Sequence, residues 1–119
     1  MKKTFSKSEV AYTLEAEFDD IPVRGNAIVS GDDAEDKRIE DSILRRLENG
    51  DVWAWASVKV IASWNGIEGV DYLGACSYED EDDFKQPGGY YEDMKAEALA
   101  SLKVNIKALQ EKVCNLVVA

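Results

Sequence analysis

The chain has 119 residues, 45% of them hydrophobic, and its 24 acidic and 14 basic side chains give a net charge of −10. This length suits one domain, residues 1–119, with its own core, and the hydrophobic content excludes an acidic disordered tail. The charge should repel nucleic-acid phosphates and anionic membranes and attract cationic surfaces. Histidine is absent, which removes the commonest general base and zinc ligand. The sequence therefore predicts a non-enzymatic protein without metal or cofactor, and carboxylate-dependent catalysis is the minority alternative.

Residues 9–18 alternate between apolar and polar side chains, which predicts a half-buried strand. Its outer face carries Glu15 and Glu17. Polar residues 6–9 interrupt the start of any secretory signal, and neither cysteine lies in a disulfide or metal motif, so we expect a cytoplasmic protein with reduced thiols. Residues 27–29 form a short apolar piece that is either a second strand or a loop.

A first helix is predicted after Asp32, which is a suitable N-cap with Glu35 three residues later. Asp33 adds negative charge at the positive end of the helix dipole. Asn49-Gly50 is typical of a helix end. The pattern predicts a short amphipathic helix with an acidic first turn.

The stretch from residue 51 to 78 is predicted to be a β-hairpin, because alternate residues share one apolar face. Those residues are Val52, Ala54, Ala56, Val58, Val60, Ala62 and Trp64. Asn65-Gly66 favours a two-residue turn, but that register places Asp71 opposite Val60 on the dry face, where a carboxylate is costly. We therefore expect a loop with one extra residue, which brings Asp71 beside Lys59. The same shift assigns Val70, Tyr72, Gly74 and Cys76 to the core face.

The three tryptophans divide between the two faces of this hairpin. Trp64 belongs to the apolar face and is predicted to be a core residue. Trp53 and Trp55 point the other way, where either the first helix covers them or they form an exposed patch. An exposed pair would be a candidate anchor for a partner protein.

Residues 79–89 are predicted to form an acidic loop containing glycine and proline. It begins with five consecutive acids, Glu79, Asp80, Glu81, Asp82 and Asp83. Their spacing lacks the alternation, the glycine and the terminal glutamate of an EF-hand, which argues against a calcium site. The run is either a solvated loop or a contact surface for a partner's lysines and arginines.

A long C-terminal helix is predicted over residues 90–117. Its apolar residues repeat every seven positions, which is the pattern of a short heptad seam. The seam consists of Leu99, Leu102, Ile106, Leu109, Val113 and Leu116. Either it packs on the dry face of the sheet or it joins two chains in a homodimer. The resulting fold class is α+β, an antiparallel sheet of three to four strands in the order β(β)αββα, with both helices packed against it.

Residues 25–102 also resemble a group of small, acidic, uncharacterised proteins encoded by bacteriophages and prophages. The resemblance lies in the Trp-x-Trp strand, in Asp71-Tyr72-Leu73-Gly74, and in Gly88-Gly89-Tyr90-Tyr91 with Asp93-Met94. It implies a phage context and no particular chemistry. Small acidic phage proteins are often inhibitors of host defence enzymes that imitate nucleic acid, so the resemblance implies an anti-defence role.

Two functional hypotheses follow from the sequence. In the first, the protein is a phage-encoded interaction protein that inhibits a host nuclease or other nucleic-acid-binding protein, with no direct contact to nucleic acid or membrane. Its contact residues would be the five acids at 79–83 together with Glu15, Glu17, Asp32, Asp33, Trp53 and Trp55. In the second, it is a structural or accessory phage protein that dimerises through the C-terminal seam.

Overall fold

The computed structural model describes residues 4–118, with side chains through Val113. The helices and strands are β1 (Ala11–Phe18), α1 (Asp33–Glu48), β2 (Ala56–Trp64), β3 (Ile67–Cys76), α2 (Glu81–Phe84) and α3 (Tyr90–Val118). The strands form one antiparallel sheet in the order β1-β2-β3. The predicted α+β class is confirmed, with three strands, and residues 27–29 lie in a loop.

The turn of the hairpin contradicts the predicted longer loop. Asn65 and Gly66 have φ values of 50° and 80°, as a two-residue turn requires, and Trp64 pairs directly with Ile67. Asp71 consequently lies opposite Val60. This register is tolerated because β3 is an edge strand and Asp71 is only half-buried, so its carboxylate keeps access to water.

A β-bulge near the end of β3 corrects the register afterwards. Ala56 pairs with Cys76 while Val58 pairs with Leu73, so the β3 segment has one residue more than the facing β2 segment. Within it, Ala75 has a φ of 54°, and its amide donates a 2.7 Å hydrogen bond to Asp19 Oδ2. The bulge returns Cys76 to the buried face, as predicted, whereas Val70, Tyr72 and Gly74 were wrongly assigned to it.

The main core lies between the inner face of β2 and one side of α3. All the apolar-face residues from Ala56 to Trp64 are buried there, with Met94, Ala98, Leu99, Leu102 and Ile106 from the helix. Gly69 of β3 allows the closest approach: a Cβ added there would lie 2.6 Å from Leu102 Cα, and nearer still to the Leu102 amide nitrogen and the Ala98 carbonyl oxygen. The helix therefore lies directly against the backbone of β3.

A second, smaller core explains α1. Ile43 of α1 is buried with Val23, Ala54 and Trp55, at the end of the sheet where β2 begins. The indole Nε1 of Trp55 donates a 2.7 Å hydrogen bond to the Ile21 carbonyl oxygen. The prediction that both helices pack on the sheet was therefore wrong for α1, which packs on the segment that precedes β2.

The sequence pattern predicts that this segment belongs to the hairpin strand, but it lies outside β2. Residues Val52–Ala54 form a 3₁₀ turn, and Asp51 caps it by accepting a hydrogen bond from the Trp53 amide. Arg46 of α1 holds the turn in place through Asp51 and also donates a 2.6 Å hydrogen bond to the Tyr78 carbonyl oxygen. One guanidinium thus joins α1, the turn and the chain leaving β3.

The last part of α3 extends beyond the sheet. Among the side chains described, which end at Val113, Ile106 is the last buried one, and every side chain from Lys107 to Val113 is exposed. We call residues 107–118 the α3 arm. It leaves the body beside the tip of the hairpin, where Asn105 Nδ2 donates a hydrogen bond to the Glu68 carbonyl oxygen. Over residues 4–118, no helix has the length and apolarity needed to span a bilayer.

Candidate interaction site

The outer face of the sheet, which points away from α3, is largely open to solvent. Thr13, Glu15 and Glu17 of β1 are exposed on it, and so is Tyr72 of β3, with 63% of its surface accessible. We call this surface the open sheet face. Its residues are Thr13, Glu15, Glu17, Ser57, Lys59, Val70 and Tyr72.

The register places unlike groups side by side on this face. Lys59 lies between Glu15 on β1 and Tyr72 on β3, and its Nζ is 5.9 Å from the centre of the tyrosine ring. Glu15, Glu17, Ser57, Lys59 and Tyr72 line a shallow depression of about 140 Å³. The arrangement offers two carboxylates, one ammonium group and an aromatic ring to a partner.

The two carboxylates on this face are not neutralised internally. Among residues 4–118, neither Glu15 nor Glu17 forms a hydrogen bond or an ion pair. Lys59, although adjacent in the register, does not come within ion-pair distance of Glu15. Neither carboxylate is therefore committed to a cationic partner among the described residues, and both are open to a cationic group from outside.

The acids of α1, by contrast, are largely engaged within the helix and its surroundings. Asp32 is the N-cap, and its Oδ1 accepts hydrogen bonds from the Ala34 and Glu35 amides. The guanidinium of Arg38 binds Glu35 and holds the pKa of that carboxyl below its usual value. Asp33 is exposed in the first turn, where its charge complements the helix dipole. The first turn of α1 is therefore mainly structural.

The acidic residues 79–83 are also partly engaged. Asp80 is the N-cap of α2 and accepts a 2.8 Å hydrogen bond from the Asp83 amide, while the Asp83 carboxylate accepts one from the Glu79 amide. Glu81 forms an exposed ion pair with Lys85. Phe84, directly after the run, is buried in the main core against Trp53, Tyr78 and Tyr91. Core burial of Phe84 fixes these acids at one end of the molecule.

The tryptophans do not form an exposed patch. Trp55 is only 3% exposed, so the alternative in which α1 covers it is confirmed. Trp53 is half-buried and packs edge-on to Tyr78 in the aromatic cluster around Phe84. Trp64 is buried and meets Phe5 at 5.3 Å between ring centres, as its assignment to the core predicted. The exposed aromatic residue of the open sheet face is Tyr72, which the sequence pattern wrongly assigned to the core face.

No protein-family model, curated protein or solved structure matches the chain. The site must therefore be interpreted from its own chemistry. Within the described residues, no group of three or more histidine, cysteine, aspartate or glutamate side chains is arranged to hold a metal ion. What the open sheet face can offer is non-covalent recognition of positive charge.

The predicted heptad seam divides into two parts. Leu99, Leu102 and Ile106 are buried against the sheet, as the packing alternative proposed. Leu109 and Val113, on the α3 arm, are 46% and 41% exposed. The last seam residue, Leu116, lies outside the described side chains. The seam thus serves the core for half its length and leaves an apolar stripe on the arm.

Proposed function

We propose that this protein is a non-enzymatic acidic interaction protein that binds a cationic surface of another protein through its open sheet face. One observation carries the proposal: Glu15 and Glu17 are exposed, have no ion-pair or hydrogen-bond partner among residues 4–118, and share a depression of the open sheet face with the exposed Tyr72. Unpaired charges contribute attraction without first losing an internal partner, and tyrosine is enriched among residues that dominate binding energy.

The partner that fits this chemistry best is a nucleic-acid-binding protein. Such proteins carry basic grooves that neutralise phosphates, and the two carboxylates that β1 presents two residues apart offer negative charge to the same groove. The net charge of −10 extends the attraction beyond the contact itself. Together with the phage context that the sequence resemblance implies, this supports an inhibitor of a host defence nuclease that acts by charge mimicry.

The experiment compares three baits in a bacterial lysate cleared of nucleic acid. The first is the wild-type protein, the second carries Glu15→Gln and Glu17→Gln, and the third carries Glu48→Gln and Glu97→Gln. The third bait loses the same charge at exposed positions without hydrogen bonds or ion pairs among residues 4–118. Comparison with the third bait therefore separates the effect of removing charge from the open sheet face from the effect of lowering the net charge of the protein.

We expect a protein that is retained by the wild-type and control baits at low salt and lost from the Glu15→Gln, Glu17→Gln bait. Its retention should fall steeply as salt rises, because the Debye length shrinks from roughly 30 Å at 0.01 M to about 10 Å at 0.1 M. Equal retention by all three baits, or retention that salt does not change, would contradict the proposal.

A second candidate function, assembly into a dimer, is favoured by the apolar stripe on the α3 arm. Leu109 and Val113 continue the buried seam past the edge of the sheet, and a second α3 arm would supply a matching stripe. The charged side chains described on the arm are Lys107, Glu111 and Lys112, so the repulsion that opposes pairing of two arms is weak. In this account the protein is a structural or accessory component.

Sedimentation equilibrium between about 5 and 500 μM tests this candidate at the micromolar affinity expected of a small interface. Dimers that dissociate in a Leu109→Lys, Val113→Lys variant would support it. A Val104→Lys variant is the control, since Val104 is exposed on a different side of α3. A monomer at every concentration would exclude the dimer.

A further inference from the structure

The outer edge of β1 has no backbone hydrogen-bond partner within the part of the chain that the structure describes. In the order β1-β2-β3, β1 is hydrogen-bonded to β2 on one side only. On its other side, none of the loop or turn backbone hydrogen bonds within residues 4–118 reaches Ala11–Phe18. Half of the amides and carbonyls of an eight-residue strand are therefore available to another extended chain.

The inner face of the same strand is incompletely covered. Helix α3 lies against β3 and β2, flush with Gly69, and makes far less contact with β1. Tyr12, Leu14 and Ala16 consequently remain half-buried, although they point towards the main core. A strand added beside β1 could place apolar side chains against these three residues and remove them from water.

The outer face of β1 favours positive charge on an added strand. Glu15 and Glu17 project from β1 to the open sheet face, next to the position that an added strand would occupy. Cross-strand neighbours of opposite charge stabilise a sheet, whereas like charges destabilise it. In antiparallel registers that pair β1 with β1 of a second copy over most of its eight residues, these glutamates lie directly or diagonally opposite their own counterparts, so a second copy is the wrong occupant.

We propose that β1 accepts, as a fourth strand, an extended segment of a cationic partner in which basic and apolar residues alternate. The basic residues would lie beside Glu15 and Glu17, and the apolar residues beside Tyr12, Leu14 and Ala16. Backbone hydrogen bonds give such strand addition its affinity, and alternate side chains give its specificity. The inference rests on the proposed function, which supplies the cationic partner, and adds the form in which that partner binds.

Synthetic peptides test the inference without the natural partner. The parent peptide alternates lysine and valine, and a block isomer has the same composition with all the lysines together. In an extended strand, the amides of successive residues point to opposite edges. Two further peptides are therefore prepared, one N-methylated on every lysine and the other on every valine. Because N-methylation removes the amide hydrogen, only the peptide methylated on the edge that faces β1 loses its hydrogen bonds to β1.

The alternating peptide should bind at least about tenfold more tightly than the block isomer, measured by fluorescence anisotropy at low salt. One N-methylated peptide should retain its affinity and the other should lose about tenfold or more, because strand addition uses one edge of the peptide. The Glu15→Gln, Glu17→Gln variant should bind the parent about tenfold more weakly, and the Glu48→Gln, Glu97→Gln control should match the wild type. Amide hydrogen exchange should slow within β1.

Equal binding of the two N-methylated peptides, or of the alternating and block peptides, would overturn strand addition. If the peptides bound equally but their binding still weakened with rising salt and with the Glu15→Gln, Glu17→Gln substitutions, the proposed function would stand without strand addition. Failure of every peptide to bind would also overturn strand addition, and the comparison of baits would then decide the proposed function separately.

Discussion

Replacing Gly69 by alanine should destabilise the fold severely, because α3 rests on this residue. The new Cβ would lie 2.6 Å from Leu102 Cα, whereas ordinary contacts of a Cβ begin near 3.4 Å, so the helix and the strand must separate by about 1 Å. Overpacking of a core usually costs about 1 to 3 kcal/mol. The obstructing atoms here belong to backbone and cannot change rotamer, so we expect a loss of about 3 kcal/mol or more.

Urea unfolding followed by tryptophan fluorescence measures this loss, with Gly74→Ala as the matched control. A Cβ at Gly74 would approach only a side-chain oxygen of Asp19, at 3.1 Å, so its effect should stay within about 1 kcal/mol. If Gly69→Ala were as stable as Gly74→Ala, α3 could not lie where we place it. The half-covered inner face of β1 would then lose its explanation.

Further predictions concern the cores and the acidic run. Trp64→Ala should lower the free energy of unfolding by about 3 to 5 kcal/mol. Trp55→Phe should cost less, about 2 kcal/mol, because a six-membered aromatic ring stays in the smaller core while the rest of the indole and its hydrogen bond to Ile21 are lost. Equal losses in urea unfolding would refute the assignment of Trp64 to the main core. Amide substitution of residues 80–83 should change stability by less than about 1 kcal/mol, since asparagine caps a helix as well as aspartate does. It should nevertheless weaken binding to any partner recovered by the baits; unchanged affinity would confine these acids to a structural role. Burial, helped by the charge of Asp19, raises the pKa of the Cys76 thiol from 9.0 to about 11. Its contribution to stability is therefore complete below pH 9 and is lost as pH rises towards about 11; a Cys76→Ala variant with the same alkaline loss would contradict this.

Much of the fold was predictable because the deciding signals are local. The Asp32 cap and the Asn49-Gly50 end of α1 lie within one helical turn of the residues they control. The alternation from Ala56 to Trp64 likewise reports directly which face of a strand is buried. Patterns of this kind depend little on the rest of the chain.

The register of β3 was not predictable in the same way, because distant residues decide it. The sequence predicts a high desolvation cost for the Asp71 carboxylate on the inner face, because nothing in the sequence shows that β3 is an edge strand. In the structure Asp71 is only half-buried, so that cost is small. The bulge that restores Cys76 to the core depends on Asp19, more than fifty residues earlier in the chain. The Asn65-Gly66 turn is the local signal that predicts the observed register, because a two-residue loop places Tyr72 on the outer face of the sheet.

The candidate site was only partly visible in the sequence for a related reason. Counting acids cannot distinguish carboxylates that cap helices or pair with arginines from those that remain unpaired. Asp32 and Asp80 belong to the first class, and Glu15 and Glu17, which have no partner among residues 4–118, belong to the second. Only the three-dimensional arrangement separates them.

The central claim, that Glu15 and Glu17 of β1 attract the partner, is tested most directly by a residue-resolved NMR titration with the alternating lysine-valine peptide. We predict that the largest amide shift changes fall on β1 and its neighbours on the open sheet face, and that they vanish in the Glu15→Gln, Glu17→Gln variant while persisting in the Glu48→Gln, Glu97→Gln control. Shift changes centred on the α3 arm, or spread evenly over all acidic segments and unaffected by the variant, would contradict the account.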